Sequence, residues 1–287
     1  MIRIGPAGWT YKEWNGIFYP ARRPSSFQEL SFVAGFFDTV EINTSFYRPI
    51  SPRMAASWAQ KVENNNRFRF TAKLWRGFTH DRDATDLDEQ RVKEGFAPLI
   101  EADCLGAVLL QFPPSFHNSE ENRAYLKQLH SQFRDYPLVL EFRHASWNKT
   151  DVLRLLEQLG IGLCNIDQPI FEDSIAPSAR TTSQIGYVRL HGRNYDNWWT
   201  GSQYAGARYD YLYSVEELHP WLDRIKAIDH AAEETYVIAN NTYKGKGIVN
   251  ALQLAALLTG KPVNAPSSLI ETYGVLQDFT APSPTNV

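Results

Sequence analysis

The sequence is poor in cysteine: Cys104 and Cys164 are the only two among 287 residues. They form no CxxC pair and sit in apolar runs, so no disulfide framework or thiolate metal site is expected, and both read as small core residues. No apolar stretch reaches the roughly 18 residues that suggest a membrane helix. The opening Met1-Ile2-Arg3-Ile4-Gly5 lacks the apolar core of a secretion signal. A cytoplasmic protein with no membrane partner is therefore expected. Charge of one sign is missing too: 29 Lys+Arg against 32 Asp+Glu leave a net charge of −3. That balance disfavours generic, charge-driven nucleic-acid binding but leaves a local basic site open. No G-x-G-x-x-G follows the first apolar run, and neither a phosphate-binding P-loop nor a Gly-x-Ser-x-Gly elbow occurs, which disfavours those enzyme classes. H-x-H and H-E-x-x-H spacings are likewise absent.

What is present is a regular alternation. Aromatic residues make up 13% of the chain, with 8 Trp, against an ordinary 43% hydrophobic content. Short β-branched or aromatic runs, read as strands, fall at Ile2–Gly5, Thr39–Asn43, Arg67–Lys73, Ala107–Gln111, Leu138–Phe142, Gly162–Ile166, Tyr187–His191 and Tyr236–Asn240. Amphipathic stretches of helical period lie between them, around Phe27–Phe36, Arg53–Val62, Leu87–Ile100, Glu120–Phe133, Asp151–Leu159, Val215–Ile228 and Ile248–Leu258. Ser214 before Val215-Glu216-Glu217 reads as a capping box, and Gly160 as a helix stop after Thr150-Asp151. Eight strands alternating with about seven helices predict an α/β fold: a TIM-barrel-like (β/α) barrel of parallel strands, with an open doubly wound sheet as the alternative. The stretch from Gln168 to Ile185 carries no helical pattern, so the sixth connection is expected to be irregular. A single barrel domain over 1–263 is expected, followed by a C-terminal tail over 264–287 that carries Pro266, Pro282, Pro284 and one short apolar element able to dock on the barrel.

Strand after strand runs apolar and ends polar: Glu41 and Asn43, Lys73, Gln111, Glu141-Phe142-Arg143-His144, Asp167, Arg189-Leu190-His191, and Asn240-Asn241. Side chains alternate along a strand, so Glu41 pairs in direction with Asn43, Glu141 with Arg143, and Arg189 with His191. Apolar Ile42, Phe142 and Leu190 take the helix-facing side. The polar set is therefore expected to point into the barrel near its C-terminal mouth, where such barrels hold their sites. Unpaired buried charges are costly, so these groups must pair with one another or with a ligand.

The same residues carry a family resemblance. Gly5-Pro6-Ala7-Gly8-Trp9, Glu41-Ile42-Asn43-Thr44-Ser45-Phe46-Tyr47, Gln111-Phe112-Pro113-Pro114-Ser115-Phe116, Glu141-Phe142-Arg143-His144-Ala145-Ser146-Trp147 and Arg189-Leu190-His191-Gly192 resemble, in order, the motifs of the YecE-like family, domain of unknown function 72. The resemblance covers about residues 1–260 and implies a TIM-barrel-like fold; it implies no established activity. This chain departs from the family pattern at Leu74-Trp75-Arg76 before Thr79-His80, and at Thr242, where an acidic residue is often found.

The chemistry expected of the set is general acid–base catalysis on a small polar or anionic substrate bearing phosphate or carboxylate. Arg48, Lys73, Arg76, Arg143, Arg189 and Arg193 lie near strand ends and favour an anion. Glu141 and His191, with Glu41, are the candidate catalytic groups. Asn43, Tyr47, Lys73, Arg76, His80, Gln111, Arg143, His144, Arg189, Asn240, Asn241, Trp9 and Trp147 are the candidate substrate-binding residues. Tyr11, Trp75, Trp198 and Trp199 complete an aromatic edge suited to stacking. No cofactor is expected. Glu41, Glu141, Asp167, His144 and His191 keep a divalent metal open as a second reading, with a metal-dependent phosphodiesterase or DNA-repair-like barrel as the matching function. A non-catalytic ligand-binding protein is the third. Nucleic acid is not favoured as a partner, and the sequence carries no sign of oligomeric state. Glu141→Gln separates a ligand site from a purely structural network: the expected outcome is that of an open, solvated site, a cost under about 1 kcal/mol with loss of ligand binding, whereas a buried ion-pair network would lose roughly 3–5 kcal/mol.

Overall fold

A computed structural model describes residues 1–198 and 206–281. Trp199, Pro282 and Pro284 lie outside the described residues. Eight strands form one parallel sheet: β1 Ile2–Pro6, β2 Thr39–Ile42, β3 Arg69–Lys73, β4 Leu105–Gln111, β5 Leu138–Glu141, β6 Gly162–Asp167, β7 Ile185–Leu190 and β8 Glu234–Ala239. Each strand pairs with its sequence neighbour, and β8 pairs with β1 from Ile2↔Thr235 to Pro6↔Ala239. Between β1 and β2 the contact is narrower, a single parallel bridge Ala7↔Glu41 with the Gly8 amide donating to the Glu41 carbonyl at 2.8 Å. The result is a nearly closed TIM-barrel-like fold. Gly5 permits this close approach: a Cβ there would lie 1.9 Å from the Thr39 carbonyl oxygen.

The helices are α1 Glu29–Ala34, α2 Thr44–Tyr47, α3 Pro52–Val62, α4 Arg76–Thr79, α5 Asp86–Glu101, α6 Glu120–Phe133, α7 Thr150–Leu159, α8 Val215–Ala231, α9 Lys246–Thr259 and α10 Ser267–Thr272. The Ser214 capping box forms as expected, its side chain accepting from the Glu217 amide while Glu217 reaches back to the Ser214 amide. Gly160 ends α7 in the left-handed region at φ 66°. Thr150 is the first residue of α7, not its cap; Lys149 holds that position without a side-chain hydrogen bond. α1 is shorter than its apolar pattern because Phe27, Phe32 and Phe36 pack with Phe18 and Tyr19 as an aromatic cluster that extends past the helix. α2 and α4 are one-turn helices, too short to produce a periodic signal.

The sixth connection, residues 168–184, contains no helix. Asn165, at the outward parity of β6, ties it down: the Asn165 Oδ1 accepts from the Ser178 hydroxyl at 2.7 Å and the Arg180 amide at 2.8 Å. The tail docks on the barrel through Leu269 and Leu276, which are buried against Ile248, Val249 and Leu252 of α9. No helix among the described residues is long and apolar enough to cross a membrane.

Alternation builds the barrel interior. Ala107 and Leu109, Val139, Cys164 and Ile166, Tyr187, and Tyr236 and Ile238 form its apolar lower layers. Two residues further along the same parity lie Gln111, Glu141, Gln168, Arg189 and Asn240, so the apolar fill stops and a polar layer begins at the C-terminal mouth.

Candidate active site

Arg189 is the centre of that layer. Its side chain is fully buried, as are those of Glu41 and Glu141. Nη1 donates to the Glu141 Oε2 at 2.6 Å, and Nη2 to the Glu41 Oε1 at 2.8 Å. The Tyr187 hydroxyl lies 3.0 Å from the other Glu41 oxygen and 2.8 Å from the Thr71 hydroxyl. Burial alone would lower the Arg189 pKa, but Glu141 and Glu41 outweigh it and hold the guanidinium firmly charged. This guanidinium occupies the space between the two carboxylates where a divalent ion would sit. Among the described residues no group of three or more His, Cys, Asp or Glu side chains comes together as a metal site.

The second oxygen of Glu141 faces the mouth. Arg143 Nε lies 2.6 Å from Oε1, and His191 Nε2 3.3 Å from it. Burial would raise the Glu141 carboxyl, yet Arg143, Arg189 and His191 outweigh it and hold it well below 4.5. Glu141 is therefore a permanently ionised anchor and a weak proton acceptor. Arg143 continues outward: Nη1 donates to the Gln168 Oε1 at 2.6 Å, and Nη2 sits 3.2 Å from His191 Nε2. The other His191 nitrogen meets the Asn240 side-chain amide at 2.8 Å. Burial and the neighbouring Arg143 keep His191 neutral, its pKa well below 6.5.

Lys73 ends β3 beside this network. Its Nζ donates to the Gln111 Oε1 at 2.9 Å and lies 5.3 Å from the centre of the Phe46 ring. Burial and the nearby Arg189 lower its pKa to about 8. His80, in the loop after β3, is also shifted down, by burial and then by Arg76 and Lys73.

Above the network lies a cavity of about 530 Å³, lined by His80, Gln111, Arg143, His144, Gln168 and Trp198 among others. Arg208 and Tyr209 close one side, with the Arg208 guanidinium 5.6 Å from the Trp198 ring. His117 stacks on His144 with ring centres 4.0 Å apart, and Asp173, 79% exposed, sits with Glu172 on the outer rim. The deep end is cationic and the outer rim acidic.

The expected site residues divide accordingly. Glu41, Lys73, Gln111, Glu141, Arg143, Arg189, His191 and Asn240 come together at the mouth, with His80 and His144 on the cavity wall. Asn43 is half-buried at the start of α2, its Oδ1 without a hydrogen bond. The others sit elsewhere. Trp147 is buried in the outer core between Phe142 and Phe116, donating its indole N–H to the Phe116 carbonyl at 2.6 Å. Trp9 packs edge-on against Trp58 at 5.2 Å and borders a separate cavity with Arg23 and Lys61. Tyr47 is 70% exposed. Arg76 pairs twice with Asp81 at the surface. Asn241 is locked between the Tyr211 carbonyl and Asn250. Asp167 has the outward parity of β6 and is saturated by Arg193, Tyr213 and Trp221, so it does not face the mouth. In each case the residue lies beyond its strand, where alternation no longer governs direction, or on the opposite parity. Gln168, not foreseen, follows from the inward parity of Cys164 and Ile166; Arg208, Tyr209 and His117 come from loops with no sequence signal.

This geometry makes a pH prediction. The folded protein holds His191 neutral, so below about pH 6.5 the unfolded chain takes up a proton that the folded chain refuses. Glu141 acts in the same direction below about pH 4.5. Stability should fall steadily as pH drops from 7.5 to 4, and His191→Gln should flatten the upper part of that slope. Denaturant midpoints across the series check it; a flat wild-type profile between pH 7.5 and 5 would refute the buried neutral histidine.

The chain resembles known proteins over nearly its whole length. A family profile described as a protein of unknown function, DUF72, matches residues 3–270. The UPF0759 protein YunF of Bacillus subtilis is 30% identical over 273 residues, covering 90% of this chain and 95% of that protein. A crystal structure of a DUF72 family protein from Thermotoga maritima superposes with a TM-score of 0.78 at 32% identity, covering 90% of this chain and 99% of that one. A DUF72 family protein from Enterococcus faecalis gives 0.79 at 26% identity, covering 90% and 96%.

Proposed function

The chain belongs to the DUF72 family, and from the site geometry we propose that it is an enzyme performing general acid–base chemistry on a small anionic molecule held at the C-terminal mouth of the barrel. One observation carries the reading. Arg143 presents a partly exposed guanidinium to the cavity while its own counter-ion, Glu141, is shared with the fully buried Arg189 and with His191. Glu41 and Glu141 balance Arg189 and Arg143 between them, and the face of Arg143 turned to the cavity is open to a phosphate or carboxylate, which an arginine fork binds well.

Roles follow from burial. Glu41 and Glu141 hold Arg189 and Arg143 rigid, and Glu141 stays ionised, so it sets the field and does not exchange protons. His191, fixed by Asn240, keeps Arg143 aimed at the cavity. His80 is the proton acceptor: it lines the cavity, and its lowered pKa leaves it neutral near pH 7. Gln111 and Gln168 supply neutral contacts, and Trp198 an apolar wall.

A thermal-shift screen of small phosphates and carboxylates tests the reading, with neutral analogues of the same size beside them. An anion at 100 times its dissociation constant should add about 2.7 kcal/mol to stability. The anions should stabilise the protein and the neutral analogues should not. Equal response to both, or to neither, would overturn an anion site.

A further inference from the structure

We propose that Lys73 is a carbonyl-reactive amine, so that the substrate of this site is an aldehyde or ketone carrying a phosphate or carboxylate, and the enzyme binds it covalently as an imine. This inference rests on the anion-site reading above and deepens it.

Four observations place the amine. Lys73 is the last residue of β3, at the mouth where the barrel collects its polar groups. Its Nζ is held by Gln111, whose side chain lines the cavity. Among the described residues it has no carboxylate within ion-pair distance, unlike Arg143 and Arg189 beside it. Its remaining surroundings are the Phe46 ring, the Arg189 and Arg143 guanidinium groups and, beyond ion-pair distance, the Glu41 and Glu141 carboxylates, and burial with the arginines outweighs the carboxylates. Burial with like charges nearby favours the neutral amine, which is the nucleophilic form. A lysine placed only to balance charge would face Glu41 or Glu141; this one is turned to an amide instead.

The chemistry balances without a further reagent. The Nζ lone pair forms a bond to the carbonyl carbon while the carbonyl π pair moves to oxygen. That oxygen takes up one proton and Nζ releases one, giving a carbinolamine. The nitrogen lone pair then forms the C=N bond as the hydroxyl leaves as water with a proton taken up from solvent, so the nitrogen keeps one hydrogen as the iminium and the carbonyl oxygen departs with two. His80, on the cavity wall and edge-on at 4.9 Å to the Phe46 ring that Lys73 also faces, is the group placed to relay these protons. The Gln111 Oε1 is positioned to accept from the protonated imine. Arg143 would hold the substrate's anionic group, and the iminium would draw electrons from the adjacent carbon–hydrogen or carbon–carbon bond.

The test is reductive trapping on the full chain. Protein is incubated with pyruvate or with glycolaldehyde phosphate, reduced with borohydride, and mapped by peptide mass spectrometry. The expected result is a secondary-amine adduct on Lys73 at least tenfold above any other lysine. Because half of this amine is neutral near pH 8, labelling should rise roughly fivefold from pH 7 to 8 and then level off, while surface lysines continue to rise. Lys73→Arg should abolish the adduct, with the variant's urea midpoint showing that it remains folded. No adduct on Lys73, or labelling spread evenly over surface lysines, would overturn the proposal. If phosphate still stabilised the wild type in that case, the anion site would stand without the amine chemistry; if it did not, both would fall.

Discussion

Replacing Glu141 by Gln is expected to lower the unfolding free energy by about 3–5 kcal/mol, the cost of breaking a buried charge pair. The substitution keeps the shape of the side chain and removes its charge. Arg189 would then have Glu41 alone, and Arg143 would lose its only carboxylate among the described residues. Both Glu141 and Arg189 are fully buried, so water is not at hand to solvate the stranded guanidinium. That burial moves Glu141 from the open-site cost considered from sequence to the network cost. A surface comparator sharpens the measurement. Asp81→Asn breaks the Arg76 pair, whose partners are 44% and 38% exposed, and should leave the midpoint almost unchanged. Urea midpoints of the two variants and the parent give the answer directly. A loss under about 1 kcal/mol for Glu141→Gln would mean that the network is solvated in solution.

Much of this arrangement is legible before any coordinates, for a physical reason. In a parallel barrel both faces of each strand are covered, so two-residue alternation decides direction, and an apolar run ending in charge marks the mouth. Glu41, Gln111, Glu141, Arg189 and Asn240 share inward parity, and the structure brings them together. The same rule, applied to β6, turns Asp167 outward to Tyr213 and Trp221 and brings Gln168 in; grouping Asp167 with the site acids by proximity to a strand end overlooked parity. Loops obey no such rule. Trp9 and Trp147 follow strands β1 and β5, yet Trp9 packs on Trp58 of α3 and Trp147 between Phe142 and Phe116, because the chain turns within a few residues. Arg208 and Tyr209 reach the cavity from the long β7–α8 connection, about 20 residues after the strand, where local sequence says nothing of distance. Charge counting alone also misassigns roles: Glu141 looks like an acid–base group in sequence, and only the Arg143, Arg189 and His191 groups packed around it show that its proton affinity is low.

The second large effect concerns Arg143, where the buried network meets the cavity. A charge-assisted hydrogen bond is worth about 1.5–3 kcal/mol, which corresponds to roughly 10- to 150-fold in affinity. Arg143→Gln should therefore weaken anion binding by at least tenfold. Glu141 would keep Arg189 and His191, so the fold should survive. Lys61, beside the separate cavity next to Trp9, serves as the control, since its charge is remote from the proposed site. The decisive measurement is a calorimetric titration of inorganic phosphate into the parent, Arg143→Gln and Lys61→Gln proteins, under identical salt. Binding to the parent, loss of tenfold or more in Arg143→Gln, and an unchanged constant in Lys61→Gln is the predicted result; an affinity untouched by Arg143→Gln, or lost in Lys61→Gln, would contradict an anion-binding site at the mouth of the barrel.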